Sequence, residues 1–126
     1  MALAETMLVS ALEADIGFGT LAGDRVFPAG GTTGKALPNA AYQRISTTGT
    51  GHLTGGGSLD QVRMQVTAWA TTALAALELA KAIRDCIAPE EGESIATFIT
   101  QQGATLDVET RHWGVPSDYF IWQERT

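Results

Sequence analysis

Few residues of this sequence have the type and spacing to do chemistry. The nearest approach to a catalytic or binding motif is residues 29–38, AGGTTGKALP. A phosphate-binding loop needs a glycine five residues before Gly34, then Lys35 and a hydroxyl residue, and a helix whose first amides converge on the phosphate. Here Ala29 and Ala36 hold the two outer positions, and Pro38 opposes a helix start. The segment reads as a loop with no nucleotide. His52 and His112 lie in separate segments, and neither has a cysteine or carboxylate beside it at ligand spacing, whereas a closed metal site takes three or four such ligands. No Gly-x-Ser-x-Gly elbow exists, and Gly57 and Ser58 sit in a loop. Cys86, the single cysteine, cannot form an internal disulfide, and its place beside an apolar stripe makes it a packing residue. Asp107 and Glu109 project together from one side of an alternating segment. Exposed carboxylates of that kind are usually solvated; the alternative is that they line an acidic surface. The expectation is a protein with no catalytic residue, no cofactor and no metal.

The most strongly patterned stretch is residues 59–88. Val62, Met64, Val66 and Ala68 alternate with Gln61, Arg63, Gln65 and Thr67, the period of a strand buried on one face. From Ala73 the period changes, and Ala73, Leu77, Ala80, Ile83 and Ile87 fall on one helical stripe. Thr71 and Thr72 stand where a hydroxyl can accept the first free amides of a helix, and Pro89 ends it. A strand running directly into an amphipathic helix is expected, with the rest of the chain packed around it.

The flanking segments supply the partners. Residues 2–14 predict a helix that buries Ala4, Leu8, Ala11 and Leu12. Residues 15–24, with three glycines, predict an irregular turn that tucks Ile16, Phe18 and Leu21 into the core. Residues 25–28 and 39–47 read as strands, and 94–102 as a strand or a helical turn. Residues 104–111 alternate, with Ala104, Leu106 and Val108 inward; Gly114, Pro116, Ser117 and Asp118 read as a turn, and 119–125 as the last strand. The sum is one α+β domain over residues 1–126, a mostly antiparallel sheet of four to five strands with two helices on one face. Residues 48–58, TGTGHLTGGGS, form a glycine-rich hairpin arm. Its His52 and Leu53 have no evident place in an isolated subunit and are expected to meet a neighbour.

The totals narrow the function. Eight basic and fourteen acidic residues give a net charge of −6 with no Lys/Arg cluster, so binding along a phosphate backbone is excluded. A composition 44% hydrophobic and only 17% charged excludes wholesale disorder. Glu5 and Glu13 interrupt the first apolar segment, unlike a secretory signal. No apolar run approaches the roughly 20 residues of a membrane span. A soluble protein assembled in a cytoplasm is expected. Trp69 is out of phase with Val62, Met64, Val66 and Ala68, and Trp122 and Phe120 face away from Tyr119 and Ile121. The side of the sheet without helices therefore carries large apolar residues, which implies that a second copy covers it.

The order of segments resembles a known family. LAGDRVFP, LPNAAYQRIS, the glycine-rich connection, LDQVRMQVTAWATTALAALELAKAIRDCI and the closing FIWQER are similar, in order and spacing, to the tail-completion or tail-terminator proteins of long-tailed phages and of phage-derived particles such as gene transfer agents. The resemblance implies a structural protein, not an enzyme, in the neck region of a virion. It implies a homo-oligomeric ring, usually hexameric, which caps the head-proximal end of the tail tube and stops its growth. The tail-tube protein would lie below and the head connector above, with DNA passing through without specific binding and no membrane involved. Leu59, Trp69, Trp122, His52 and Leu53 are the candidate subunit contacts, and Asp107 and Glu109 the candidate acidic lumen face. Two other readings remain open: a head–tail joining or head-completion ring of the same particle, and a small cytosolic α+β enzyme or ligand-binding domain.

Overall fold

The computed structural model describes residues 3–31, 34–49 and 59–124. Helix α1 (Ala4–Ala14) is built from strong helix formers, Ala, Leu, Met and Glu. At Asp15 the chain leaves helical geometry and immediately re-enters it, because the Asp15 carboxylate accepts from the Phe18 amide at 2.7 Å and caps α2 (Ile16–Ala22). The segment expected to be irregular is thus a helix. Its glycines are tolerated because Phe18 and Ala22 are fully buried, and Gly23, at φ +60°, ends it. Ile16, expected inside, is 86% exposed, since it occupies the first turn on the outer side.

Strand β1 (Val26–Pro28) runs parallel to β2 (Asn39–Gly49), which pairs antiparallel with β3 (Leu59–Ala70). The β2–β3 register shifts between Arg44 and Ser46, so Ile45 sits in a bulge and stays exposed. Thr72 then caps α3 (Ala73–Ile87), accepting from the Ala75 amide at 3.1 Å, and Ala88 and Pro89 close it. The chain returns through β4 (Ala96–Gln101), β5 (Thr105–Leu106) and β6 (Trp113–Glu124). The sheet order is β1–β2–β3–β6–β4, with β5 also paired to β6, and every pair except β1–β2 is antiparallel. This is an α+β fold, with one more strand and one more helix than expected.

The buried core lies between the sheet and the helices. Val62, Met64, Val66 and Ala68 of β3 and Val115, Tyr119 and Ile121 of β6 meet Leu79, Ala80, Ile83 and Ile87 of α3 and Leu8 and Leu12 of α1. The α3 stripe is rotated from the expected one. Ala76 and Leu79 are buried, while Leu77 is 38% exposed and Ala73 half-buried. Tyr119 is fully buried, packed edge-on to Phe98 with ring centroids 5.7 Å apart, and its hydroxyl has no hydrogen-bond partner among the described residues. Burial raises its pKa well above the usual tyrosine value.

Two expected elements are redrawn at the C-terminal end. Only Thr105 and Leu106 of residues 104–111 are strand, and Val108, expected inside, is 77% exposed. Gly114, Pro116, Ser117 and Asp118, expected as a turn, lie within the continuous strand β6. Pro116 is accommodated because its carbonyl faces the break between β4 and β5, where it accepts from the Gln102 amide at 2.9 Å. Its missing N–H falls at that break, so no ladder bond is lost.

Polar side chains fasten α1 to the sheet. Arg44 of β2 donates through Nε to Glu5 Oε2 at 2.8 Å and through Nη2 to Gln123 Oε1 of β6 at 2.9 Å. Gln123 Oε1 also accepts from the Ala4 amide at 3.0 Å, serving as the N-terminal cap that Leu3 cannot supply. The Arg44 guanidinium lowers the pKa of Glu5, and Glu5 raises that of Arg44.

Candidate assembly surface

Odd-numbered residues of β3 and their partners on β6 make up the sheet face away from the helices. Its centre is polar. Asp118 accepts from Arg63 Nε and Nη2 at 3.0 and 2.7 Å and from Gln65 Nε2 at 3.1 Å, so a carboxylate on a mostly buried residue is held by three donors. Neither residue type nor spacing announced this cluster, because Arg63 and Asp118 meet only through the β3–β6 register.

Apolar side chains stand at both ends of the same face. At one end Gln61 pairs with Trp122, Arg63 with Phe120, and Leu59 with Glu124. Leu59 and Trp122 are 43% and 41% exposed. At the other end Trp69 lies over Gly114, its partner in register. A Cβ at residue 114 would stand 2.7 Å from Trp69 Cζ3, so any larger residue there must push the indole off the sheet. Trp69 therefore faces away from the helices, half-buried against its own sheet.

The other sequence candidates fall as follows. His52 and Leu53, and all but the first two residues of the expected arm at 48–58, lie outside the described residues; Thr48 and Gly49 end β2. Asp107 and Glu109 do not share a strand face. Asp107 opens a tight turn, its Oδ1 accepting from the Glu109 and Thr110 amides at 2.9 and 3.3 Å, while its own amide donates to the His112 carbonyl at 2.9 Å. Glu109 is exposed, whereas Asp107 is half-buried and comes beside Trp69. The period-2 reading failed here because an aspartate that binds its own downstream amides competes with strand pairing.

The remaining chemistry-bearing residues are engaged structurally. Lys35 Nζ stands 5.4 Å over the Phe27 ring, and the chain after it enters β2, not a helix. Cys86 Sγ donates to the Ala11 carbonyl at 3.4 Å, and burial, reinforced by Asp15, pushes the thiol up to about 11. Among the described residues no three His, Cys, Asp or Glu side chains converge as a metal site. No helix among them is long and apolar enough to cross a membrane.

A sheet with helices on one side and exposed tryptophan on the other has the form of an assembling subunit. Comparison with known proteins gives that form a family: the model for "Tail completion protein gp17" matches residues 6–124. The chain belongs to the tail completion protein gp17 family. No curated protein matches the sequence. Among solved structures, a chain of "Virion of native gene transfer agent (GTA) particle" is similar over 94% of this chain and 92% of that one. The TM-score is 0.69 at 16% identity, which shows a shared fold. As a member of that family the chain is a structural component of a phage-type tail, and its place is the virion tail.

Proposed function

We propose that this chain closes into a ring, by analogy with the family hexameric, which caps the head-proximal end of the tail tube. The ring ends tube polymerisation and presents the joint to the head connector in the neck of the particle. The observation that carries this reading is the one-sided sheet: Leu59, Trp122 and Trp69 lie on the face that no helix among the described residues covers, and a surface of that kind is usually buried on assembly. Repeated head-to-tail contacts must close or grow into a filament, and closure is what a terminator requires. The net charge of −6 supports a lumen that lets DNA pass without holding its phosphates. On this reading the protein performs no catalysis. The glycine-rich arm, residues 48–58, is the part offered to neighbouring subunits, and the exposed Glu109 and half-buried Asp107 carboxylates are the part offered to the lumen.

Native mass spectrometry of the purified protein, alone and with tail-tube subunits, tests the ring. A closed oligomer in either condition is expected, and a monomer in both overturns the proposal. Particles assembled without the protein separate the terminator role from a head-completion role one ring higher. Overlong tubes are expected for a terminator; tails of normal length that fail to join heads would overturn it.

A further inference from the structure

The sheet ends in two edges that this chain leaves open. Beyond β4 no strand follows among the described residues. On the other side β1 covers only the first part of β2: its register stops at Tyr42, whose carbonyl accepts from the Ala29 amide at 2.8 Å. Residues 43–49 of β2 therefore have β3 on one side and no described strand on the other. An open edge presents a row of free amides and carbonyls, and proteins that keep such edges apart shorten them or place charge or proline on them. The β1 edge is guarded in this way, being three residues long and ending in Pro28. The other two lack those guards. β4 (ATFITQ) has neither charge nor proline over six residues, about 20 Å. Residues 45–49 of β2 (ISTTG) are likewise uncharged and are exposed, and the Arg44 guanidinium before them is turned to Glu5. Each edge carries one bulge, at Ile45 and at Ile99, which leaves a regular run beside it, 46–49 in β2 and 96–98 in β4.

We infer that β4 of one copy pairs antiparallel with the open edge of β2 in a second copy, so that subunits join edge to edge. Strand sense selects this pairing. The ladders β2–β3, β3–β6 and β6–β4 are each antiparallel, so β4 runs opposite to β2. Around a ring whose axis lies along the strands every copy keeps its strand sense. There β4 meets the neighbour's β2 as an antiparallel pair, the slightly more stable kind. Side-chain parity then limits the register to steps of two. Thr97 pairs with Phe120 and Thr48 with Gln61, on the face away from the helices, while Phe98 pairs with Tyr119 and Thr47 with Val62, on the helix face. With Thr97 opposite Thr48, Phe98 stands opposite Thr47, and the helices of both copies stay on one side of the joined sheet. In that register the two bulges fall at the same level, which brings the half-buried Ile99 beside the exposed Ile45. The contact uses two different edges, so it repeats from copy to copy. That the repeat closes into a ring rests on the assembly role proposed above; the pairing of the two edges does not.

The test is disulfide cross-linking in a Cys86→Ala background, on the isolated protein and on the protein mixed with tail-tube subunits. Thr97→Cys is combined with Thr48→Cys or, one step of two along, with Ser46→Cys. Within one chain these positions are separated by β3 and β6, about 14 Å, too far for a disulfide. One of the two combinations should therefore link successive chains into a ladder that runs past the dimer on a non-reducing gel, while each single substitution leaves monomers. A dimer from Thr97→Cys alone would show β4 pairing with β4 about a two-fold axis and overturns the inference. Charge supplies a readout without thiols. Thr97→Lys with Thr48→Glu should assemble, and Thr97→Lys with Thr48→Lys should need about fivefold more protein for the same oligomer fraction, both folded by circular dichroism. Equal assembly of the two folded proteins overturns the pairing; if either fails to fold, the cross-links decide. Linked chains that never close overturn the ring alone, and a closed ring without either cross-link overturns the edge pairing alone. A protein that stays monomeric and unlinked in both conditions overturns both.

Discussion

Gly114→Ala gives a stability change whose sign depends on Trp69. The added Cβ would lie 2.7, 2.9 and 3.0 Å from three atoms of the Trp69 ring, where carbon–carbon contacts relax to about 3.5–4.0 Å. The indole must therefore withdraw by about 1 Å. Trp69 is half-buried on an open face, so it can move outward, exposing roughly 40–80 Å² of ring and sheet at a cost of about 1–2 kcal/mol. Against this, replacing a strand glycine whose φ is not positive gains about 0.5–1 kcal/mol by narrowing the unfolded ensemble. The net expectation is a destabilisation of about 0.5–1 kcal/mol. In a Trp69→Ala background the clash is gone and only the glycine term remains, so the same substitution should stabilise by about 0.5–1 kcal/mol. Urea denaturation followed by far-ultraviolet circular dichroism on the four proteins of the cycle measures the difference, about 1–2 kcal/mol of coupling. If Gly114→Ala has the same effect in both backgrounds, within about 0.3 kcal/mol, the packing of Trp69 on Gly114 is refuted.

Three further outcomes follow from the same geometry. Glu5→Gln should cost about 1 kcal/mol near neutral pH. Because Arg44 lowers the Glu5 pKa below its unfolded value, this contribution is present above the ordinary glutamate value of 4.5 and fades as pH falls through the folded pKa; denaturation across that acid window should show the slope in the parent and not in the variant. Cys86, with its thiol pushed up to about 11, should be only about one part in a thousand thiolate near pH 8 and react with iodoacetamide correspondingly slowly, accelerating on unfolding in urea; rapid labelling of the folded protein would contradict its half-buried, protonated setting. Asp15→Ala removes the carboxylate that accepts from Phe18 and should cost about 1 kcal/mol, read as a shift in urea midpoint, with amide exchange in α2 rising more than in α3.

The sequence by itself determined the elements whose pattern and stop signals are local. Strand β3 is legible because Val62, Met64, Val66 and Ala68 are buried at period two, and α3 because Thr72 and Pro89 bracket an amphipathic stretch. Residue order was also enough to place the chain in a tail-completion family. Tertiary structure decided everything that depends on a distant partner. Gly114, Pro116 and Asp118 have turn chemistry, yet they are strand because Trp69 covers the first, the β4–β5 break absorbs the second, and Arg63 and Gln65 hold the third. The phase of α3, with Leu79 inside and Leu77 at the surface, was set by the sheet it packs against. Asp107 left its predicted strand because its side chain satisfied two backbone amides locally. Through that turn it reached Asn39 and Trp69, residues whose juxtaposition no spacing in the chain encodes.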